Sequence, residues 1–534
     1  MAASIGKCLQ VRGLRVTALK IDPYLNYDSG LMNPYVHGEV FVTEDGGETD
    51  LDLGRYERFL NTTIGKRSNI TTGQVYLEVI QRERRGDYLG KCVQIIPQVT
   101  DEIKHRIGEA AKLAEADVGI VEIGGTVGDI EGMPFLEAVR QMRLEVGEGN
   151  TVIAHVALVP FLETVSEYKT KPLQHSVQEL RRIGLQPDLI FVRSKGAPPE
   201  DVMQKVALFS SVERRRAFAA VNLESIYALP EYLDRQGLGD VVCDELRLKC
   251  QKPSWDAWSK SIEGILKPKD EVEIALIGKY VSVPDSYISV MDALHHAGGK
   301  LGIKVGVRMI EAEELEKNET TTSFLGDAGG ILVPGGFGSR GAEGKMSAMK
   351  YAREHLVPFL GLCFGFQLSA VEFARNMLGM SGANSTEVDP NTPYPIVHIS
   401  KEQLKVGQMG GTQRLGVSKV NLRPGSLAHK IYGKKEVFER HRHRYEINGD
   451  YIDKLSESGL EIVGNSDDGR AEVLALSGHP FFLATQFHPE FKSWPGSPNP
   501  CFYGFISASY RKKKGEPVKP DLAGFSYPSR KPWP

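Results

Sequence analysis

Residues 359–367 read FLGLCFGFQ and decide the fold of the second half of this 534-residue chain. The apolar start of the stretch predicts a buried strand, and the residues from Gln367 onward predict a helix. Gly361 and Gly365 flank Cys363, because side chains there would collide in so tight a turn. The pattern predicts a nucleophile elbow with Cys363 at its tip. From the turn alone, a buried apolar cysteine is an equally good interpretation.

Two further stretches supply partner groups for this thiol. Residues 482–487 predict a strand that ends in His488, Pro489 and Glu490. A histidine can accept the thiol proton, and a carboxylate two residues on can orient the imidazole and stabilise its charged form. Residues 331–338 predict a strand that runs into a glycine-rich turn, whose N–H groups can face a developing oxyanion.

The elbow, the His-x-Glu pair and the glycine turn together resemble a class I glutamine amidotransferase domain over residues 273–510. The resemblance implies that Cys363 is the nucleophile, His488 the base and Glu490 its orienting partner. Glutamine would form a thioester and release ammonia. The implied glutamine-binding residues are Gly336, Phe364, Gly365, Phe366, Gln367, Glu387 and Arg444.

Composition limits the class of protein. The length predicts two or more domains, and a net charge of −3 gives no support for binding to nucleic acid or a membrane surface. The sequence shows no membrane-spanning run and no signal-peptide pattern at its start. The cysteines lack metal-ligand or disulfide-framework spacing, which favours a reduced, cytoplasmic enzyme. They are Cys8, Cys92, Cys243, Cys250, Cys363 and Cys501.

The first half of the chain alternates predicted strands and helices. Residues 2–10 predict a helix and residues 15–21 the strand after it, although a parallel sheet would have a strand before that helix. Gly6-Lys7 is not a phosphate loop, because the preceding glycine and the following hydroxyl residue are lacking. Further strands are predicted at 118–123, 152–159, 188–194 and 217–223.

Polar groups cluster at three places in this half. The alternating carboxylates of residues 50–52 suit Mg²⁺, although a solvated acidic turn is an open alternative. Glu122 lies inside an apolar strand, where a carboxylate is costly unless it meets a cation or a donor. Residues 169–175 carry two lysines around a threonine, which suits phosphate oxygens and a basic surface loop equally well.

These strings, in this order, resemble the CTP synthase family over nearly the whole chain. The segments that carry the resemblance include KIDPY at 20–24, EIGGTVGDIE at 122–131 and RHRHRYE at 440–446. The resemblance implies α/β architecture with two doubly wound domains: a P-loop-type, dethiobiotin-synthetase-like amidoligase domain and a class I glutaminase domain. ATP would phosphorylate the 4-oxygen of UTP, and ammonia would displace that phosphate to give CTP.

The resemblance also implies a set of binding residues. Asp52 and Glu122 would bind Mg²⁺, and Lys20 would face ATP phosphates. The family more often has threonine at the position of Leu173, which weakens the case for a nucleotide contact there. The remaining implied nucleotide-binding residues are Gln94, Asp129, Ile130, Glu131, Lys169, Thr170, Lys171, Pro172, Leu173, Gln174, Arg193, Lys205, Val221, Asn222 and Leu223. GTP, an allosteric activator of the family, would act on residues 338–344 and Arg414. The family also implies CTP feedback inhibition, homotetramers and filaments.

The front of the chain departs from the family, which begins with a strand and a glycine-rich phosphate loop before the helix that starts here at Ala2. We therefore expect an amidoligase fold without its first strand, unpaired edges on the neighbouring strands and an impaired synthetase step. The alternative functions are a synthetase-dead glutaminase and a non-catalytic assembly partner of intact subunits. The expected domains are the synthetase at 1–250, a linker at 251–272, the glutaminase at 273–512 and a disordered basic, proline-rich tail at 513–534.

Overall fold

The computed structural model describes residues 1–317, 321–399, 403 and 410–528. Its contacts divide the chain into two compact units. The first contains residues 1–28 and 55–259, and the second contains residues 29–54 and 260–534. No helix among the described residues is long and apolar enough to cross a membrane.

The helices and strands of the chain up to residue 266 are α1 Ala2–Gln10, β1 Val16–Asp22, α2 Pro34–His37, β2 Phe41–Val42, β3 Glu48–Thr49, α3 Asp52–Leu60, β4 Asn69–Thr71, α4 Thr72–Arg85, α5 Thr100–Leu113, β5 Val118–Ile123, α6 Met133–Val146, β6 Ala154–Leu158, β7 Phe161–Leu162, β8 Glu167–Tyr168, α7 Lys171–Arg182, β9 Leu189–Ser194, α8 Glu200–Ser210, β10 Ala217–Val221, α9 Leu229–Asp234, α10 Leu238–Glu245 and α11 Asp256–Leu266.

Those that follow are β11 Asp270–Gly278, α12 Ile288–Leu301, β12 Ile303–Glu311, α13 Thr321–Leu325, β13 Gly330–Val333, α14 Ala342–Glu354, β14 Phe359–Leu362, α15 Phe364–Met377, β15 Ala383–Ser385, β16 Tyr394–Ile399, β17 Arg414–Leu422, α16 Leu427–Tyr432, β18 Glu436–His443, β19 Tyr445–Ile447, α17 Ile452–Glu457, β20 Leu460–Asn465, β21 Ala471–Leu476, β22 Phe482–Thr485 and α18 Pro500–Lys513.

The first unit contains two three-stranded parallel sheets, with strand orders β4-β1-β5 and β10-β9-β6. The predicted α/β alternation is confirmed, and α1 and β1 lie where the sequence places them. In the described chain β5 and β6 are edge strands that each pair with one sheet neighbour, and the expected absence of a first strand stays a prediction. Val156 and Leu158 on β6 are 46% and 58% exposed, which leaves apolar surface at that edge.

The second unit is built on a nine-stranded mixed sheet of order β12-β11-β13-β14-β22-β21-β20-β17-β18. Its core strands β13, β14 and β22 are adjacent and parallel, with Val333 paired to Gly361 and Leu362 to Thr485. The carboxyl ends of the three strands therefore meet at one edge of the sheet. The cysteine elbow, the glycine turn and the His-x-Glu segment each follow one of these strands.

The β2–β3 hairpin, from the first 250 residues, packs within the second unit. The Phe41 ring meets the Phe491 ring at 5.1 Å, and Arg440 Nη1 donates to the Val42 carbonyl at 3.0 Å. Arg442 Nε also lies 2.8 Å from Glu48 Oε1. Residues 1–250 are thus not one compact body. The sequence does not predict the contacts of this hairpin, because their partners lie about 400 residues away in the chain.

Three other details differ from the sequence expectations. Helix α11 occupies half of the expected linker, and β11 begins at Asp270 rather than 273. Cys243 and Cys250 form a disulfide, because the turn after α10 brings their Cα atoms to 6.4 Å. Residues 514–528 of the expected disordered tail make specific contacts, since the Phe525 and Tyr503 rings stack at 3.8 Å. The rest of that tail, 529–534, lies outside the described residues.

Candidate active site

Cys363 joins β14 to α15 with φ +49° and ψ −97°, a region that L side chains rarely adopt. Its N–H donates to the Thr485 carbonyl at 2.7 Å, which ties the turn to β22. A Cβ on Gly365 would lie 2.3 Å from the Val333 carbonyl oxygen, so only glycine fits there. The turn has the strained geometry of an elbow, and the thiol, only 3% exposed, lies at the N-terminus of α15.

His488 and Glu490 form a buried pair beyond β22. His488 Nδ1 lies 2.7 Å from Glu490 Oε1, while Nε2 has no hydrogen-bond partner in the described part of the chain. Gly335 lies between imidazole and thiol, because a Cβ built on it would lie 3.0 Å from His488 Cε1 and 3.6 Å from Cys363 Cβ. The free Nε2 is thus the imidazole atom left to exchange protons with a substrate or the thiol.

The electrostatics of the pair favour a charged imidazole. Burial by itself would lower the pKa of His488, but the negative charges of Glu490 and of the Cys363 thiolate raise it to about 10. His488 is therefore expected to be charged at neutral pH. A charged imidazole beside a cysteine favours the thiolate, which is the reactive form of a cysteine nucleophile.

Two groups that the sequence does not indicate also contact the thiol. Cys363 Sγ lies 3.6 Å from the Arg442 carbonyl oxygen and 3.7 Å from Gln486 Nε2. Arg442 is held through its side chain by Glu48, from the β2–β3 hairpin. In the sequence, Arg442 is notable only as part of the RHRHRYE segment. That segment does not predict that the backbone carbonyl of Arg442 contacts the thiol.

The predicted glutamine-binding residues fall into two groups. Phe366 is fully buried in the core, and Gln367 is held by the Tyr445 carbonyl at 2.9 Å, so both support the elbow. Glu387 accepts a hydrogen bond from the Gly338 N–H at 2.7 Å, and Arg444 Nη1 lies 2.6 Å from Gln403 Oε1. Burial raises the pKa of Glu387, although the Gly338 N–H and two nearby lysines oppose the shift.

Those two lysines flank the glycine turn, and the sequence reading missed both. Lys279 Nζ donates to the Phe337 carbonyl, and Lys345 Nζ lies 3.5 Å from the Pro334 carbonyl oxygen. Burial lowers the pKa of each, and that of Lys345 falls to about 7. Lys345 follows the Gly-rich segment on a helix, where a lysine usually signals a solvated face.

In the first unit, Lys20 and Glu122 are direct cross-strand neighbours on β1 and β5. Lys20 Nζ lies 4.0 Å from Glu122 Oε1, and the Tyr56 hydroxyl donates to Glu122 Oε2 at 2.8 Å. The Glu122 side chain is 32% exposed, so strand β5 is less buried than the sequence predicts. Its carboxylate still has a donor and a cation nearby, and Tyr56 is a contact that the sequence reading missed. Asp52, which belongs to the second unit, begins α3, where its N–H donates to Asp50 Oδ1 at 2.8 Å. The assignment of Asp52 and Glu122 to Mg²⁺ stays a prediction.

The predicted nucleotide loops meet at a cleft of about 520 Å³ in the first unit. Thr126 and Val127, from the loop after β5, line it together with Pro172 and His175 at the start of α7. Asp129 closes that loop by accepting the Thr126 N–H at 2.8 Å.

The other predicted nucleotide residues vary in exposure. Ile130, Glu131, Gln94 and Lys205 are exposed, whereas Leu173 is fully buried in the core. The Leu173 side chain therefore packs in the hydrophobic core, which explains why an apolar residue occupies this position. Lys169 pairs with Glu167 at 2.5 Å, and Gln174 Nε2 donates to Thr170 Oγ1 at 3.0 Å.

The predicted adenine-site residues lie near the ends of β9 and β10. Arg193 Nη1 donates to the Ala220 carbonyl at 3.2 Å, and the Asn222 N–H donates to the Lys195 carbonyl at 3.4 Å. Val221 ends β10, and Leu223 follows it in the same loop. The structure thus brings these predicted residues to one sheet edge.

Comparisons with known proteins match both halves. The family model described as CTP synthase N-terminus matches residues 1–248, and that described as glutamine amidotransferase class-I matches residues 282–508. The chain is 54% identical to a CTP synthase of Sulfurisphaera tokodaii over 509 residues, which is 95% of this chain and 96% of the relative. A CTP synthase of Thermococcus kodakarensis is 52% identical over 516 residues, which is 96% of each.

Among solved structures, the glutaminase domain of Trypanosoma brucei CTPS with bound acivicin is 37% identical, with a TM-score of 0.43, over 45% of this chain and 94% of that one. The folds and the matches define a glutamine-hydrolysing ligase, in which a class I amidotransferase domain follows an N-terminal synthetase domain. The chain belongs to the CTP synthase family.

Proposed function

We propose that this chain catalyses the ATP-dependent amination of UTP to CTP, with ammonia supplied by hydrolysis of glutamine. The observation that carries the glutaminase half is the placement of Cys363, His488 and the turn at Gly335–Gly336 after three adjacent parallel strands. Membership of the CTP synthase family supports the pairing of this site with an amidoligase domain.

The proposed glutamine hydrolysis follows from the triad. The Cys363 thiolate attacks the side-chain amide carbon, and the N–H groups of Gly336 and Phe364 stabilise the oxyanion. His488 gives its proton to the departing ammonia, and a thioester remains on Cys363. His488 then takes a proton from water, which attacks the thioester and releases glutamate. Glu490 holds the imidazole and stabilises its charge throughout.

The proposed synthetase half uses residues from the first 250 positions of the chain. Lys20 faces the ATP phosphates, and the loop at 126–131 with the start of α7 holds the pyrimidine nucleotide at the cleft already described. ATP phosphorylates the 4-oxygen of UTP, and ammonia displaces that phosphate at carbon 4. The carboxylates Glu122 and Asp52 are the oxygen donors that Mg²⁺ prefers, and the ion when bound would neutralise phosphate charge.

Regulation belongs to the same proposal. GTP acts on residues 338–344 and Arg414, and CTP inhibits by feedback. Both statements rest on family membership; Arg340, within residues 338–344, pairs with Glu311 and Glu313, each at 3.2 Å. We also propose a cytoplasmic homotetramer that is able to form filaments, on family membership alone. The sequence expectation that synthesis is impaired has no support in the matches and is not part of this proposal.

The test of the synthetase half is CTP formation from UTP, ATP and Mg²⁺ with ammonium chloride, which bypasses the glutaminase. We expect turnover that is lost in Glu122→Gln, while Glu213→Gln, an exposed surface change, leaves it intact. Absence of CTP from the unsubstituted chain would contradict the proposed synthesis. It would favour the glutaminase or the assembly-partner alternative, and glutamate release from glutamine separates these two.

A further inference from the structure

Lys345 is a lysine on α14 whose side chain is completely buried. A buried ammonium group normally has a carboxylate partner, because removing the charge from water is costly. No salt bridge to Lys345 exists among the residues that the structure describes. Its amine donates to the Pro334 carbonyl oxygen at 3.5 Å. Such a cation requires an explanation.

The position of the amine relates it to the triad. Lys345 Nζ would lie 3.4 Å from a Cβ built on Gly336, so it lies against the glycine turn. The same atom lies 5.1 Å from the centre of the Phe364 ring, on the residue that follows the nucleophile. One buried cation therefore lies next to the turn at Gly336 and next to the ring of Phe364, the two residues whose N–H groups are proposed to bind the oxyanion. A cation over an aromatic face is attracted to it, most strongly when water is excluded.

The charges around the amine do not neutralise it. Lys279 and Arg340 are positive, and they lower the pKa of Lys345 further below the value set by burial. Cys363 and Glu311 act as negative groups that raise the pKa of Lys345. Glu387 is also nearby, because Lys345 opposes the rise that burial causes in the pKa of Glu387. On α14 itself, Glu343 is engaged by Arg375 at 2.8 Å. Negative charge at Cys363 or at the oxyanion is thus the natural counterpart.

We propose that Lys345 is a positioning residue for glutamine hydrolysis, whose buried ammonium group holds the turn at residues 334–337 against the elbow and stabilises negative charge there. This inference rests on the proposed glutaminase function and deepens it. The lysine does not touch the reacting atoms. It acts through the backbone of Gly336 and Phe364, and through the field at Cys363.

The test is Lys345→Met, which keeps the length of the side chain and removes the charge, assayed for glutamate release. Lys345→Gln is the second variant, since it keeps a donor for Pro334 but no charge. Lys350→Met, an exposed lysine on the same helix, is the matched control. We expect kcat to fall about 10-fold or more in both Lys345 variants, with KM within about twofold, and no change in the control.

A pH series separates the electrostatic role from a structural one. With a pKa of about 7, Lys345 is charged below neutral pH and loses its charge as the pH rises. The deficit of both variants, per thiol titrated by iodoacetamide, should therefore be largest near pH 6 and shrink towards pH 8.

Full activity of either variant, a deficit that does not vary with pH, or failure of both variants to fold would overturn the proposal. Failure of the proposed glutaminase function is a distinct result, because the unsubstituted chain would then release no glutamate, or Cys363→Ala would release it at the rate of the parent.

Discussion

His488 Nδ1 lies 2.7 Å from Glu490 Oε1, and both side chains are buried beneath the end of β22. The Glu490 carboxylate can only accept a hydrogen bond from the imidazole, so it fixes Nδ1 as a protonated nitrogen. The Nε2 atom is left towards the thiol. The short His-Pro-Glu sequence thus sets both the tautomer and the charge of the base.

Glu490→Gln tests that relationship. The amide keeps the size of the side chain and removes the negative charge, so the pKa of His488 should fall from about 10. We expect kcat for glutamine hydrolysis to drop about 100-fold or more. Iodoacetamide should alkylate Cys363 more slowly at neutral pH, because the imidazole beside it is then less charged, and the pH profile of alkylation measures this. Glu457→Gln, at an exposed position, is the control. An unchanged alkylation profile would contradict the assignment of Glu490.

Gly365→Ala tests the geometry of the elbow. A Cβ at this position would lie 2.3 Å from the Val333 carbonyl oxygen, and backbone cannot move aside easily. We expect a loss of about 2 kcal/mol or more in stability, or displacement of the elbow with at least a 10-fold loss of glutaminase activity. Gly449→Ala meets no atom within 4 Å and should change neither thermal midpoint nor activity. Wild-type behaviour of Gly365→Ala would show that the turn is looser than described.

The buried carboxyl of Glu439 predicts a pH-dependent stability. Burial raises its pKa to about 7, although Lys492 and hydrogen bonds from Tyr432 and Asn499 oppose the shift. A raised carboxyl pKa means that the folded protein holds a proton which the unfolded chain has released between pH 4.5 and 7. Stability therefore falls as the pH rises through that window.

Glu439→Gln removes this pH dependence. The variant should gain stability relative to the unsubstituted protein on going from pH 5 to pH 8, by up to about 3 kcal/mol. Thermal midpoints at the two pH values measure the effect, with Glu436→Gln on the same strand as an exposed control. A difference between variant and parent that is equal at both pH values would be contrary to the prediction.

The sequence predicted what local chemistry determines. The elbow, the strand before it, the His-x-Glu pair and helix α1 follow from glycine placement and apolar periodicity within about ten residues. The contacts of Lys345 and Glu48 could not be predicted in this way. Each depends on a fold that brings a charged side chain into a dry interior, next to a segment far away in the chain. Exposed and buried lysines look alike in a single sequence.

The central claim is that Cys363 supplies ammonia from glutamine to a CTP-forming domain in the same chain. Cys363→Ala tests it most directly, by CTP formation with glutamine or with ammonium chloride as the nitrogen source. We predict that the variant loses glutamine-dependent CTP formation and glutamate release by at least about 1000-fold, and keeps the ammonia-dependent rate of the parent. Glutamate release by Cys363→Ala at the rate of the parent would contradict the account.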